Sequence, residues 1–292
     1  MCKRLKNIKI IKNIKDIKNI KRILLLIFII ALAGLLVSVC IRFRDRAALS
    51  AQQEALEAEK KNGEENEAAG NNSVSGADLD EPVILPEYAE MYEENHDLIG
   101  WLSIEGTVID YPVMQTPEDE CYYLKRDFYG KDNENGCLIM DTDSVVGVGT
   151  ADDHYLNGTP PSTNLIIHGH TMKSGEMFGN LPLYRDEEYG KEHGIICFDS
   201  LYEHREYELI AVFYSQVYYQ SQDVFKYYKF FQADTQEEFD EWYDNIRELS
   251  LYDTGVTASF GDEFITLSCC SYHVEDGRFV VVARRKTSKK PL

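Results

Sequence analysis

The chain has 292 residues, of which 44% are hydrophobic and 27% are charged, with 50 acidic residues against 30 basic ones. This composition is that of an ordinary globular protein, and it excludes collagen-like, disulfide-scaffold and wholly disordered proteins. Nine of the basic residues lie within the first 22 positions, so the remainder is more acidic than the overall net charge of −20 suggests. Such a domain is not expected to bind nucleic acid, because phosphate contacts require clustered Lys and Arg.

Residues 1–22 are predicted to form a basic cytoplasmic segment. Lysine recurs at every third position from Lys9 to Lys21, between Ile and Asn residues. This spacing favours two interpretations equally: the segment binds anionic lipid headgroups, or it only sets the membrane topology.

Residues 23–41 are an uncharged run dominated by Leu, Ile, Ala and Val. About 18 or more such residues can span a hydrocarbon core of roughly 30 Å, so the run predicts a transmembrane helix. The excess of bases before it places the N-terminus in the cytoplasm and the rest of the chain on the extracellular face. A cleaved signal peptide is the alternative, but its apolar core is normally about 7–15 residues long and ends at a small-x-small site.

Residues 42–84 are predicted to be a stalk or linker. They are rich in Glu, Ala, Asn, Gly and Ser, and they begin with a possible short helix over residues 47–61. Few of these side chains are of a kind that could pack into a core.

Residues 85–288 are predicted to form the folded domain, which is long enough for one sizeable core. Helical periodicity covers residues 88–98 and 235–249, the second opening with a capping box. Short β-branched or aromatic runs predict strands at residues 107–113, 136–140, 164–168, 194–198, 207–214, 263–268 and 279–283. Many short strands without alternating helices indicate a β-barrel or sandwich with a few helices.

Reactive residue types are concentrated at three predicted strand ends: His168 and His170, Cys269 and Cys270, and Arg278. A nucleophilic thiol needs a neighbouring base or imidazolium, and an oxyanion needs a donor directed at it. These residues could supply all three roles, or they could be ordinary packed and solvated side chains. The two His could also ligate a metal from one strand face, but no third ligand follows at a close spacing.

Three stretches resemble the hallmark segments of the sortase family: residues 104–115 (IEGTVIDYPVMQ), 164–178 (NLIIHGHTMKSGEMF) and 266–270 (TLSCC). Residues 224–256 resemble the helical insertion of class B members. The resemblance covers roughly residues 88–285. It implies a mostly β fold, a closed sortase-type barrel of about eight strands with flanking helices, and it implies neither a metal nor an organic cofactor.

The resemblance also implies roles for single residues. Cys270 would be the nucleophile, His170 the general acid and base, and Arg278 the group that stabilises the oxyanion. Ser268 matches a position that contacts substrate in relatives.

Two positions depart from the family pattern. Cys269 stands where Thr normally precedes the nucleophile, and we expect it to be buried, because neighbouring strand residues face opposite sides. A disulfide between Cys269 and Cys270 is the minor alternative. His168 stands where many relatives have Tyr, and we interpret it as lining a pocket and not as a metal ligand.

The function implied is that of a membrane-anchored cysteine transpeptidase. It would cleave a surface protein's C-terminal sorting signal after Thr and transfer the acyl group to an amine of the cell-wall precursor of a Gram-positive type cell. Class B resemblance favours a signal of the Asn-Pro-Gln-Thr-Asn kind over Leu-Pro-x-Thr-Gly. Pilus-subunit polymerisation, hydrolysis by water at a Cys-His site and a non-enzymatic wall-binding domain are the alternatives.

Overall fold

A computed structural model describes residues 2–68, 82–150, 155 and 159–286, with side chains from residue 21 onward except at positions 23, 42, 45 and 66–68. The side chains of the lysine repeat before Lys21, and residues 69–81 of the predicted stalk, therefore lie outside what the structure describes. The chain divides into two compact units, Met1–Glu54 and Ala55–Leu292.

The first unit belongs to a long helix, α1, which covers Cys2–Ala68. One stretch of this helix, Leu24–Glu65, is long and apolar enough to cross a membrane, with a mean hydropathy of 3.2 in its most apolar window. Its apolar side chains are exposed, as Phe28 and Ile30 illustrate. Signal sequences share this character, and the membrane topology stays a prediction.

The second unit is built on eight strands that close into a barrel in the order β1-β2-β3-β4-β7-β8-β6-β5. The strands are β1 (Leu98–Ser103), β2 (Asp110–Met114), β3 (Leu138–Met140), β4 (Asn164–Gly169), β5 (Ile195–Ser200), β6 (Glu206–Gln216), β7 (Phe264–Cys270) and β8 (Gly277–Arg285). Three shorter helices flank it, namely α2 (Pro86–Glu94), α3 (Glu187–Glu192) and α4 (Gln236–Leu249). The predicted mostly β barrel is confirmed.

The first strand is where the sequence prediction is wrong. The helical periodicity over residues 88–98 continues into the residue that begins β1, whereas α2 ends at Glu94. The strand pairs with both β2 and β5. Gly100 is needed in it because a Cβ there would overlap the Asp199 carbonyl oxygen and the Phe198 ring, which is a tertiary requirement.

Strand alternation divides the side chains of the barrel wall between two cores. Inward residues such as Leu267, Cys269 and Val281 belong to the barrel interior. Outward residues such as Phe264 and Val280 pack beneath α4, which starts at the predicted capping box, with the Thr235 side chain bonded to the backbone of Glu238. Residue 270 consequently shares the outward face with residues 264, 266 and 268.

The end of α1, residues 55–68, packs within the second unit. Leu56 is 2% exposed and joins a cluster that includes Trp101 and Tyr88. Lys60 Nζ lies 5.2 Å from the Trp101 ring centroid and 3.8 Å from Asp199 Oδ2. Part of the segment predicted to be a linker is thus helical and contributes a buried side chain.

Candidate active site

The ends of β4, β7 and β8 bring the candidate residues together. β4 and β7 are parallel, with His168 opposite Ser268 and Gly169 opposite Cys269. β7 and β8 are antiparallel, with Cys270 opposite Arg278. His170 directly follows Gly169, so it lies one residue beyond the last pair of this register.

The two adjacent thiols lie in opposite environments. Cys269 is 2% exposed within the barrel interior, whereas Cys270 is exposed. Burial raises the pKa of Cys269 to about 12, which keeps it protonated at neutral pH. Both are free thiols, so the structure contains no disulfide between them. Cys270 is the thiol that a substrate can reach.

His170 is oriented by a backbone carbonyl. Its Nε2 lies 2.7 Å from the oxygen of Leu124. A carbonyl oxygen can only accept a hydrogen bond, so Nε2 carries a proton and Nδ1 is the second nitrogen of the ring. The next residue, Thr171, donates its hydroxyl to the carbonyl of Cys270 at 2.7 Å, which links the segment after β4 to the end of β7.

Arg278 is half-buried at the start of β8. Its Nη1 donates to the carbonyl oxygens of Asp276 and Gly277, at 3.2 and 3.1 Å. These bonds hold the guanidinium near its own turn without neutralising its charge. The Arg278 side chain lies on the same face of the sheet as the Cys270 side chain, because directly paired residues point to one side of a sheet.

Ser268 lies below the surface of this edge. It is 1% exposed, and its hydroxyl lies 2.7 Å from the hydroxyl of Tyr227. Tyr227 belongs to a short 3-10 turn, Tyr227–Lys229, of the segment that resembles the class B insertion. Burial raises the pKa of the Tyr227 hydroxyl, and the nearby charge of Arg278 opposes this rise. The sequence analysis did not single out Tyr227, although the aromatic run around it was a visible signal.

His168 lies beside Ser268 and is paired with an acid. Its Nε2 is 3.2 Å from Asp141 Oδ2. Burial alone would raise the pKa of Asp141, but the hydrogen bond from His168 lowers it below its usual value. Burial and the neighbouring Asp141 raise the pKa of Glu120.

The ligand atoms of Glu120, Asp141 and His168 lie within 4.8 Å of one another, a spacing that could hold a metal ion. Asp141 is hydrogen-bonded to both neighbours, His168 and Glu120. Neither acid was found by the sequence analysis, because both come from loops distant in the chain from His168.

The arrangement has the parts of a covalent acyl-transfer site. Cys270, with its exposed thiol, is paired with Arg278 across β7 and β8, and His170 directly follows the end of β4, which pairs with β7. A thiol of this kind attacks a carbonyl when an imidazole manages its proton and a cation faces the developing oxyanion.

Comparison with known proteins identifies sortase B proteins as relatives of this chain. The chain is 28% identical over 206 residues to Sortase B of Listeria monocytogenes serovar 1/2a (strain ATCC BAA-679 / EGD-e), an alignment that covers 70% of this chain and 76% of that protein. The crystal structure of sortase B from B. anthracis in complex with AAEK1 aligns with a TM-score of 0.60 at 25% identity, covering 84% of this chain and 98% of the other. A Staphylococcus aureus sortase B-substrate complex has the same fold, with a TM-score of 0.63 at 20% identity, covering 84% of this chain and 98% of the other. No protein-family model matches the chain.

Proposed function

We propose that this chain, which belongs to the class B sortases and is a cysteine transpeptidase, uses Cys270 to form a thioester with the Thr of a C-terminal sorting signal. The observation that supports this assignment is the register of β4, β7 and β8. Cys270 is paired with Arg278, and the residue before it, Cys269, is paired with Gly169. The exposed Cys270 and the buried Cys269 favour the same choice of nucleophile.

The first half-reaction breaks the peptide bond after Thr. The Cys270 thiol transfers its proton to His170 as its sulfur attacks the Thr carbonyl carbon, and the guanidinium of Arg278 faces the oxyanion of the tetrahedral intermediate. As the intermediate collapses, the carbon–nitrogen bond breaks and His170 gives a proton to the leaving amine. The product is a thioester between Cys270 and the N-terminal part of the surface protein.

The second half-reaction transfers the acyl group to an amine. We propose an amine of the peptidoglycan precursor as the acceptor, which attacks the thioester while His170 takes its proton. The Cys270 sulfur leaves and the new amide bond joins the surface protein to the wall precursor. The sorting signal we favour is of the Asn-Pro-Gln-Thr-Asn kind, and Ser268 would contribute to its pocket through the wall that it forms with Tyr227.

The proposed location is the extracellular face of the cell membrane. Residues 23–41 would span the bilayer once, residues 1–22 would be cytoplasmic, and residues 85–288 would form the catalytic domain. The exposed apolar surface of Leu24–Ile30 and the preceding bases support this topology.

The test is intact mass spectrometry of the detergent-solubilised full chain after incubation with sorting-signal peptides of both kinds. We expect an adduct equal in mass to the N-terminal part of the Asn-Pro-Gln-Thr-Asn peptide, present in Cys269→Ala and absent in Cys270→Ala. An adduct on the Cys270→Ala protein would refute the assignment of the nucleophile.

An added glycine-based amine distinguishes the reaction types. Conversion of the adduct to an amide supports transpeptidation, whereas release of the free acid alone supports a hydrolase. No adduct, together with an iodoacetamide rate at Cys270 no faster than that of an unactivated thiol, would support a non-enzymatic domain.

A further inference from the structure

The turn that contacts His170 is itself held from two sides. It is a 3-10 turn, Tyr122–Lys125, and its contact with His170 is the Leu124 carbonyl oxygen. The Tyr123 side chain is 3% exposed; its hydroxyl donates to Asp97 Oδ2 and accepts from Asn95 Nδ2, both at 2.8 Å. These bonds anchor the turn to the start of β1.

The other side of the turn rests on the chain just before β3. The Cys137 amide donates to the carbonyl oxygen of Tyr123 at 3.0 Å. Gly136 has a φ of +61°, and a Cβ at this position would overlap the Leu124 carbonyl oxygen and lie 2.7 Å from that of Tyr123. Side chains avoid both this backbone conformation and contacts this short, so only glycine allows the turn to lie where it does.

The consequence for His170 follows from the chemistry of the imidazole. With Nε2–H donated to Leu124, the neutral ring has one basic nitrogen, Nδ1. A carbonyl displaced by a side chain at position 136 would no longer select this tautomer, and the ring would also be free to rotate.

We propose that Gly136 and Tyr123 are positioning residues that act through the Leu124 carbonyl to hold His170 in the Nε2–H tautomer, so that Nδ1 exchanges the proton during acyl transfer. The catalytic part of this inference rests on the proposed function of His170. The structural part, the tautomer, rests only on the hydrogen bond between His170 and Leu124 and on the packing of the turn.

The test compares Gly136→Ala with Gly255→Ala in the detergent-solubilised full chain. Gly255 also has a positive φ, +77°, but a Cβ there would meet nothing within 4 Å, so this variant controls for backbone strain alone. The ¹⁵N resonances of the His170 ring report the tautomer, and thioester formation with the sorting-signal peptide gives kcat and KM.

We expect the wild type and Gly255→Ala to show the Nε2–H tautomer and to form thioester at similar rates. In Gly136→Ala we expect a mixture of tautomers and a kcat lower by about tenfold, with KM within about twofold, since small displacements of a catalytic group lower kcat strongly. A general loss of folding would affect kcat and KM together and would not change the tautomer selectively.

Tyr123→Phe provides a second variant should Gly136→Ala not fold. It retains the buried ring and removes the hydroxyl bonds to Asn95 and Asp97, so we expect a smaller change in the same direction. A wild-type tautomer and a wild-type kcat in every folded variant would overturn the proposal and leave the proposed function intact. A wild-type enzyme that shows the Nε2–H tautomer but never forms a thioester would instead contradict the proposed function.

Discussion

Two histidines of the same barrel have opposite surroundings, and the contrast separates the environment of the proposed catalytic imidazole from that of a structural one. His170 lies at the open end of β4, where its partner is the uncharged carbonyl of Leu124. His204 lies in the turn between β5 and β6, with Nε2 3.3 Å from Glu87 Oε1 and Nδ1 3.1 Å from Asp199 Oδ1. Both carboxylates are buried.

The difference teaches what each ring can do with a proton. The hydrogen bond with Asp199 raises the pKa of His204, against the opposing effect of burial, so its surroundings favour the protonated ring. The carbonyl beside His170 fixes the ring without adding negative charge. A residue that must give and take a proton within one reaction cycle needs the second arrangement.

The largest expected effect is that of replacing His170 with Gln, and the same replacement at His204 is its comparison. His170→Gln should lower the rate of thioester formation by about 10²–10⁴-fold, the usual contribution of a general acid and base. His204→Gln should leave that rate within about twofold of the wild type, since its ring contacts Glu87 of α2 and Asp199 of β5 and not the strands that carry the candidate site. Mass spectrometry of the acyl-enzyme in samples quenched at successive times measures both rates. Comparable losses in the two variants would contradict the distinction between the two rings.

The second effect concerns the hydrophobic cluster that the end of α1 joins through Leu56. Leu56→Ala should lower the free energy of unfolding by about 2–4 kcal/mol, because it opens a cavity next to Trp101 and Met91. Urea unfolding followed by tryptophan fluorescence is suited to this measurement, since Trp101 lies in the same cluster. Leu249→Ala is the matched control, because Leu249 is 42% exposed; an equally small change in both would mean that residues 55–68 do not contribute to the stability of the folded unit.

The smallest effect is the pH dependence of the charge cluster that His204 forms with Glu87 and Asp199. Because the folded-state pKa of His204 is raised, its stabilisation is complete below the ordinary value of about 6.5 and is lost as the pH rises through the folded-state value. The pKa of Asp199 is lowered, since bonds from His204 and Tyr88 outweigh the effect of burial, so its contribution is lost on acidification below about 4. The difference in unfolding free energy between the wild type and His204→Gln should therefore be largest at about pH 5–6 and shrink towards pH 8.5.

The magnitude of that difference is on the order of 0.5 kcal/mol, because the His204 side chain is 59% exposed and solvent screens its charge. Urea midpoints across the pH range measure it. A difference that grows towards alkaline pH would contradict the expected sign of the His204 contribution.

The barrel itself was largely predictable from the sequence. Strands β2 to β8 each overlap one of the predicted β-branched or aromatic runs, because strands with one buried face carry a strong local pattern. β1 was missed since Leu98–Ser103 continues the apolar spacing of α2, and only its pairing with β2 and β5 identifies it as a strand. The packing of Leu56 was missed for a similar reason, because one Leu among Glu, Ala and Lys gives no signal of burial.

The side chains of the candidate site could be selected from the sequence, whereas the groups that contact and orient them could not. Alternation along β7 correctly assigned Cys269 to the interior, since this is a local rule. The Leu124 carbonyl, the acid that pairs with His168 and the hydroxyl of Tyr227 all come from distant parts of the chain. Backbone carbonyls in particular are the same at every position, so no residue type marks the one that orients His170.

The parallel pairing of β4 with β7 also bears on how the protein is made. His170 and Cys270 are a hundred positions apart, and the chain between them contributes β5, β6 and α4 before β7 can take its place beside β4. A nascent chain that has delivered β1 to β6 contains the imidazole but has not yet delivered the thiol, and a complete but unpaired chain keeps the two groups apart. Non-local strand pairing of this kind forms late. With Cys270 and His170 acting as proposed, reactivity and completion of the barrel are reached together, and we expect partially synthesised or misassembled copies to be inert towards the peptides and amines around them.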